Sequence, residues 1–223
     1  MALSIRFCQS VITSNEQYAE YLGDKKKHPV SDWQKKKDHP VVNVSWDDAV
    51  VYCKWFNETY QGELKETGNL ILRLPTEAEW EKAARGAYGN EWPWGNEFDK
   101  NKCNSSEGKK GDTTPVGLYS SVGGDSPYGC DDMAGNVWEW CNDWYAGDEY
   151  KQRAKTSVVD PRGPKGGASR VLRGGSSGDN YQLARCASHY HNNPDNHNSQ
   201  IGFRVVASPI FNLCTLYLCS LNL

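Results

Sequence analysis

The sequence predicts an α+β fold in which helices come first and short strands joined by long loops follow. Before Gly86, three segments combine helical spacing of apolar residues with capping residues; after it, helical periodicity disappears and Gly, Asn, Asp, Pro and Trp dominate. The 223 residues include 9 Trp, 12 Tyr and 21 Gly. This composition is typical of a loop-rich domain held together by bulky aromatic side chains rather than by long aliphatic helices.

The first two helices are predicted from their caps. Ser14 is a suitable N-cap, Gln17 completes a capping box, and Gly23 ends the first helix. Ser45 caps the second helix, which ends near Tyr60. Its apolar spacing predicts a buried face made of Ala49, Tyr52, Cys53 and Phe56.

A short apolar run, residues 70–74, predicts a strand directly before the third helix. Thr76 and Glu79 form the capping box of that helix, which runs to Arg85. Arg73 and Glu77 are suited to a fixed ion pair beside it.

Charge and hydropathy exclude several kinds of partner. The net charge is −3 and no basic stripe is present, so nucleic acid is not expected to bind. No run reaches the roughly 18 apolar residues of a membrane-spanning helix, and the first ten residues are too mixed for a signal peptide. We therefore predict no membrane insertion and a cytoplasmic location, with surface display or export by another route left open. The eight cysteines contain no CxxC pair that would suggest zinc.

Seven sequence blocks follow one another in a recognisable order. They are HPVVNVSWDDA from His39, RLPTEAEWE from Arg73, WPWGN from Trp92, TTPVG from Thr113, DMAGNVWEW from Asp132, RGGS from Arg173 and GFR from Gly202. Their order and spacing resemble the formylglycine-generating enzyme (sulfatase-modifying factor) family from about Phe7 to Val206. The resemblance implies a C-type-lectin-like fold in a single domain, residues 1–207, followed by an apolar C-terminal tail, residues 208–223.

The resemblance also locates the family's copper site, which uses two cysteines just after the Arg-Gly-Gly-Ser block. Soft thiolate ligands suit Cu(I). In this sequence the two positions hold Asp179 and Ala184, and Cys186 lies two residues beyond the second. We therefore expect no copper and no oxidase activity, and predict that the chain is not an enzyme.

A structural calcium site is implied by the same resemblance. Its ligands would be the Asp132 and Glu139 carboxylates and the Gly135 and Val137 carbonyl groups, a set of hard oxygen ligands that suits Ca²⁺. The alternative is that both carboxylates bind backbone amides without a metal.

The stretch from Ser176 to Gln200 differs in composition from the rest of the chain. It contains no Lys, Glu, Met or Trp and is rich in Asn, Ser, His, Tyr, Asp and Gly. Changing the adenines of an AAC or AAT codon gives codons for all of these abundant residue types and for none of the four missing ones. Gln182 and Gln200 fit this codon pattern less simply. Tyr supplies rigid contact area, and Ser, Gly and Asn supply adaptable hydrogen bonds, as in binding surfaces.

This pattern resembles the variable region of proteins diversified by retroelements, in which a reverse transcriptase randomises template adenines. The resemblance implies a ligand-binding protein whose partner is a protein or another surface ligand. The candidate variable, ligand-binding positions are Ser177, Gly178, Asp179, Asn180, Tyr181, Leu183, Ser188, His189, Tyr190, His191, Asn193, His197 and Ser199. The implied framework positions are Arg173–Ser176, Arg185–Ala187, Pro194 and Gly202–Arg204.

Three other interpretations of this stretch remain open. It could be an ordinary polar loop that lost its cysteines by drift. The chain could be a formylglycine-generating-type oxidase or an accessory domain acting on sulfatases. His189, His191 and His197, with Asp195, could form a metal site, although we expect solvent-exposed recognition residues and no helix or strand that fixes this histidine spacing.

Overall fold

The computed structural model describes residues 12–155 and 160–209. Its helices are concentrated in the first half and its strands in the second, which confirms the predicted α+β order. The elements are α1 (Asn15–Leu22), α2 (Trp46–Thr59), α3 (Gln61–Glu66), β1 (Leu70–Arg73), α4 (Glu77–Arg85), β2 (Trp138–Trp144), α5 (Glu149–Arg153), β3 (Arg170–Arg173), β4 (His189–Asn192), β5 (Ile201–Gly202) and β6 (Val206–Pro209). Short 3₁₀ turns occupy Gly23–Lys25, Trp33–Lys35, Ser106–Gly108 and Ser120–Val122.

The three predicted helices begin at their predicted caps. Ser14, Ser45 and Thr76 each accept a hydrogen bond from the backbone N–H three residues later, and all three form complete capping boxes. The buried residues of α2 are the four predicted from its spacing. Two helices were not predicted, α3 and α5, because α3 buries only Leu64 and α5 buries none of its side chains, so neither has an apolar period.

Two sheets organise the strands. β1 and β6 form an antiparallel pair, and the other four strands form a sheet in the order β4-β3-β2-β5. β3 pairs antiparallel with both of its neighbours, whereas β2 and β5 run parallel. β6 continues to Pro209, which lies opposite Leu70, so the domain extends two residues beyond the predicted boundary at 207. Residues 210–223 of the predicted tail lie outside the described residues.

The core lies on both faces of the four-stranded sheet. Trp140 and Leu172 face the larger cluster, which includes the buried side of α2, while the neighbouring residues Cys141 and Val171 face a second cluster around Trp80 of α4. Successive strand residues point to opposite faces, so the same two strands serve both clusters. Edge strand β4 lies at the margin of this double core.

The predicted ion pair between Arg73 and Glu77 is wrong. Arg73 instead makes two 2.7 Å hydrogen bonds with Glu79 at the surface. Glu77, the first residue of α4, is 4% exposed and turns toward the protein interior. The two glutamates therefore have different environments, although they are only two residues apart.

Candidate functional site

The stretch 176–200 covers one end of the four-stranded sheet. It begins at Ser176, three residues beyond the end of β3, contributes β4 at the sheet edge, and ends directly before β5. The loop before β5 is anchored by backbone hydrogen bonds, from Trp46 N–H to the Pro194 carbonyl (2.9 Å) and from Asn43 N–H to the Asn198 carbonyl (3.0 Å). Main-chain groups make both of these bonds, so the two bonds do not depend on which side chains stand at 193–199.

Exposure separates the candidate variable positions from the two framework segments that flank them, whereas Arg185, Ala187 and Pro194, which were also expected to be framework, are not buried. None of the thirteen candidate positions is buried, whereas each residue of Arg173–Ser176 and Gly202–Arg204 is buried. The same contrast occurs between adjacent residues, since Leu183 is 41% exposed and Ala184 is fully buried. Side chains at the candidate positions are thus available to a partner.

Three exposed apolar side chains provide the contact area of this surface. Tyr190 is 55% exposed beside the ring of Trp138, and Tyr181, 39% exposed, lies against Phe98 with ring centroids 5.1 Å apart. Leu183 is the third. Exposed aromatic residues with a buried aromatic neighbour are well suited to anchor a protein partner.

The expectation that no regular element fixes His189 and His191 is wrong, because both belong to β4. They lie on one face of the strand, and the His191 ring stacks on Tyr145 with centroids 3.9 Å apart. Asp195 is exposed, and His197 instead lies 3.0 Å from Asp48 of α2. Within residues 12–155 and 160–209, no group of three or more His, Cys, Asp or Glu side chains could hold a metal ion.

His189 connects this surface to a buried polar network. Its Nδ1 lies 3.0 Å from Oε1 of Glu77, which also accepts a 2.8 Å hydrogen bond from the Tyr150 hydroxyl and lies 3.6 Å from Arg173. Burial alone would raise the pKa of Glu77, but the His189 hydrogen bond and the Arg173 charge outweigh it and lower that pKa. The His189 side chain is therefore tied to a buried carboxylate of α4.

Arg173 holds the segment that leads into β4. Its fully buried guanidinium donates to the carbonyl groups of Cys186 (2.7 Å) and Ser188 (2.9 Å) and to the Glu81 carboxylate (2.8 Å). The Arg-Gly-Gly-Ser block indicated a framework residue here, but the sequence did not reveal which carbonyl groups it binds. The guanidinium therefore fixes the backbone from Cys186 to Ser188, directly before β4.

Asp179 also has a structural partner, although it was predicted to be variable. One oxygen of its carboxylate accepts hydrogen bonds from the Ser176 hydroxyl (2.6 Å), the Ser176 N–H (3.0 Å) and the Trp138 indole (2.8 Å). Its own carbonyl accepts from the Ser106 N–H at 2.9 Å. Asp179 thus closes the turn that carries the first candidate positions.

We expect Asp179→Ala to destabilise the protein by about 1–3 kcal/mol, since it leaves buried donors of Ser176 and Trp138 without an acceptor. Urea unfolding monitored by tryptophan fluorescence measures this change. Asp195→Ala, at an exposed carboxylate in the same stretch, is the matched control and should shift stability by less than about 0.5 kcal/mol. Equal effects of the two substitutions would contradict a structural role for Asp179.

The positions of the family's copper ligands contain no thiol. Asp179 makes the contacts just described, and the methyl group of Ala184 packs in a small cluster with Cys103 and Ala134. Burial raises the pKa of Cys103 to about 11 and that of Cys186 to about 12, so both thiols stay protonated near neutral pH. The described residues contain five cysteines, and all five are buried.

The predicted calcium ligands Asp132 and Glu139 already have protein partners. Arg204 donates twice to the Glu139 carboxylate, at 2.5 and 2.7 Å, and the Trp80 indole donates at 2.8 Å. Asp132 accepts a 2.7 Å hydrogen bond from the Gly117 N–H. This geometry does not provide a free pair of carboxylates beside the Gly135 and Val137 carbonyl groups. Asp132 binds a backbone amide, as in the alternative without metal, whereas Glu139 binds the Trp80 and Arg204 side chains. Calcium binding stays a prediction.

The buried Asp132 predicts a pH dependence of stability. Burial raises its pKa from 3.8 to about 6, so the folded state binds the proton more tightly than the unfolded state. With a chelator present to remove calcium, the stabilisation from protonated Asp132 is complete below about pH 4 and is lost as pH rises to about 6. Relative to Asp132→Asn, we expect wild-type stability to fall by up to about 3 kcal/mol across this window.

Urea unfolding of both proteins from pH 4 to 7, with and without added calcium, makes this measurement. Asparagine is a suitable replacement, because Asp132 has a φ of +54° and asparagine tolerates that conformation. A parallel pH dependence in the two proteins would contradict the raised pKa. Stabilisation of the wild type alone by calcium would establish the metal site.

The family model of the sulfatase-modifying factor enzyme 1-like domain matches residues 7–209. The chain belongs to this family. A formylglycine-generating enzyme of Thermomonospora curvata is 38% identical over 200 residues, covering 82% of this chain and 60% of that protein. The inactive Cα-formylglycine-generating enzyme 2 of Mus musculus is 37% identical over 193 residues, covering 81% and 53%. The chain thus spans little more than half the length of these relatives.

Among solved structures, variable protein 1 of Treponema denticola superposes with a TM-score of 0.71 and 25% identity, covering 89% of this chain and 82% of that one. Family and superposition together confirm the C-type-lectin-like, formylglycine-generating-enzyme-type fold expected from the seven blocks. A relative named as an enzyme and a relative named as inactive are almost equally identical in sequence to this chain. Membership alone therefore does not decide whether this chain is catalytic. Among the described residues no helix is long and apolar enough to cross a membrane.

Proposed function

We propose that this chain is a ligand-binding protein that presents the surface of residues 177–199 to a protein or another surface ligand. The observation that supports it best is the exposure pattern, in which no candidate position is buried while the segments flanking them are. A binding surface of this kind can change its side chains while the fold stays the same. The likeness to a variable protein of Treponema denticola is consistent with such a role.

We further propose that a retroelement diversifies this surface by adenine-directed variation. The composition of residues 176–200 supports this, since types not reachable from AAC or AAT codons are nearly absent. Eleven of the thirteen candidate positions are free to vary in this account. Asp179 and His189 are the two at which we expect restricted variation, because their side chains bind buried groups.

Wholesale replacement of the exposed positions tests this proposal. One variant replaces seven exposed positions together, each with Asn, or with Ser where Asn is already present. The positions are Asn180, Tyr181, Leu183, Tyr190, Asn193, His197 and Ser199. We expect this variant to unfold cooperatively and to lose less than about 3 kcal/mol of stability in total, since isolated surface changes usually stay within about 0.5 kcal/mol. Calorimetry measures the melting temperature.

The single substitution Ala184→Asn is the control, because it places a polar group at a fully buried position within the same stretch. We expect it alone to destabilise the protein by about 2 kcal/mol or more. If the variant with seven substitutions failed to fold while Ala184→Asn was tolerated, the proposed division into surface and framework would be refuted.

The alternative is an oxidase acting on sulfatases, or an accessory domain for one, and the relatives named formylglycine-generating enzymes favour it. A carboxylate and a methyl group at Asp179 and Ala184 do not supply the two soft ligands that copper(I) needs. We expect the purified protein incubated with copper and oxygen to form no aldehyde on a cysteine-containing sulfatase peptide. Aldehyde formation detected by mass spectrometry would reverse the assignment.

A further inference from the structure

Two histidines of β4 lie on the same face of the four-stranded sheet. His189 is paired with Arg173 of β3 and His191 with Val171, so one residue separates the two histidines along the strand. Alternate residues of a strand point to the same side, with Cα atoms about 6.7 Å apart. Both imidazole rings contact the ring of Tyr145, with centroid distances of 5.6 Å for His189 and 3.9 Å for His191. The two rings thus share one aromatic neighbour at the edge of the sheet.

Glu77 fixes the orientation of the His189 ring. Its carboxylate lies 3.0 Å from Nδ1, and a neutral imidazole that donates from Nδ1 has its lone pair on Nε2. The His189 side chain is 30% exposed, whereas Glu77 is buried. A histidine held by a carboxylate through its other ring nitrogen is the usual arrangement of histidines that bind metal ions. Nε2 of His189 is therefore the available ligand atom.

Stacking rather than hydrogen bonding holds the ring of His191. The ring lies nearly parallel to that of Tyr145, at an interplanar angle of 17°, and its centroid is 5.6 Å from that of Tyr190. The residue is partly exposed, and no group of the described residues forms a hydrogen bond with its imidazole. A ring nitrogen of His191 can therefore bind a metal ion without breaking a hydrogen bond.

The cations of the adjoining network are paired with carboxylates. Arg173 lies 3.6 Å from Glu77 and 2.8 Å from Glu81. Arg85 lies 2.6 Å from the other oxygen of Glu81. Because both guanidinium groups have carboxylate partners, their repulsion of a metal ion bound at His189 is reduced.

We propose that His189 and His191 together bind one divalent transition-metal ion of the class that prefers imidazole, such as Zn²⁺, Ni²⁺ or Cu²⁺. Metal–nitrogen bonds of about 2.1 Å require the two ligand atoms to approach within roughly 4 Å, which rotation of the His191 ring supplies. No third His, Cys, Asp or Glu of the described residues completes the set, so the remaining positions are open to water. This inference concerns the histidines present in this chain and does not depend on diversification of the stretch.

A titration of the full chain with Ni²⁺, followed by NMR of the histidine rings, tests the proposal. Ni²⁺ is paramagnetic and broadens the resonances of rings that bind it, and the chain has only five histidines to resolve. We expect the imidazole signals of His189 and His191 to broaden first, while that of His197 stays sharp. An excess of Ca²⁺ should not restore the broadened signals, because calcium prefers oxygen ligands.

His191→Gln should weaken Ni²⁺ binding at His189 at least about tenfold, since loss of an outer-shell partner alone typically costs that much. His197→Gln is the matched control, because it removes an exposed histidine of the same stretch that lies beside Asp48 of α2, and it should leave the affinity unchanged. Equal weakening by the two substitutions would overturn the proposal. Sharp signals of His189 and His191 at saturating Ni²⁺, or broadening spread evenly over the five histidines, would overturn it as well.

Discussion

Glu139→Gln is expected to destabilise the protein by about 3–5 kcal/mol, because it leaves the Arg204 charge buried without its counterion. Glu139 is fully buried and Arg204 is 2% exposed, and the carboxylate also receives the Trp80 indole hydrogen bond. For a domain of this size the loss corresponds to a fall in melting temperature of about 6–20 °C. Differential scanning calorimetry in chelator measures it.

The same substitution at Glu58 is the matched control, because the exposed pair with Lys54 contributes at most about 0.5 kcal/mol. The Arg204 pairing predicts an equal Glu139→Gln effect in chelator and in calcium, whereas the calcium site implied by the family resemblance predicts a larger effect in calcium. A small effect in chelator together with a large one in calcium would show instead that Glu139 binds the cation.

Gly135→Ala is expected to destabilise the protein by at least about 3 kcal/mol or to prevent folding. Gly135 has a φ of +76°, which costs an L-residue roughly 1–2 kcal/mol. A Cβ atom there would also lie 2.1 Å from the backbone oxygen of Asn104. That oxygen accepts the Asn136 N–H hydrogen bond, so moving it breaks a second contact. Soluble yield and urea unfolding report the effect.

Gly62→Ala provides the opposite control. Gly62 lies within α3, has a helical conformation, and has no atom within 4 Å of the added Cβ. We expect it to stabilise the protein by about 0.5–1 kcal/mol, because alanine loses less backbone entropy than glycine on folding. If Gly135→Ala were as well tolerated as Gly62→Ala, the close approach between Asn104 and Gly135 would be incorrect.

The elements predicted from local signals agree with the structure, and those that depend on tertiary contacts do not. The capping boxes at Ser14, Ser45 and Thr76 could be read from the sequence, since each needs only residues within one turn. β4 could not, because His189–Asn192 has no apolar alternation and is held as a strand by pairing with β3. Cross-strand pairing of this kind depends on residues distant in sequence.

The candidate surface shows the same limit. The resemblance to diversified variable regions gave the thirteen candidate positions, and the structure places all of them outside the core. Composition gave no sign that Asp179 binds the Trp138 indole or that His189 binds Glu77, since the partners lie 41 and 112 residues away. Likewise the preference of Arg73 for Glu79 over Glu77 follows from the orientation of α4 against the core rather than from spacing.

Under the proposed function, a scaffold shared with relatives named as enzymes serves recognition. Arg173 and the main chain near Asn43 and Trp46 fix the path of the stretch, so its exposed side chains need not hold it. The residues at the positions of the family's copper ligands, Asp179 and Ala184, serve the turn and the core instead. Binding is then separated from the groups that stabilise the fold.

Deep sequencing of this gene across a population of its source organism tests the central claim most directly. The account predicts substitutions concentrated in codons 177–199 and confined to adenine positions, with Asp179 and His189 less variable than their neighbours. It also predicts a constant block from Asp132 to Trp140. If residues 177–199 proved as constant as that block, the diversified recognition surface would be contradicted, and a fixed binding or catalytic site would replace it.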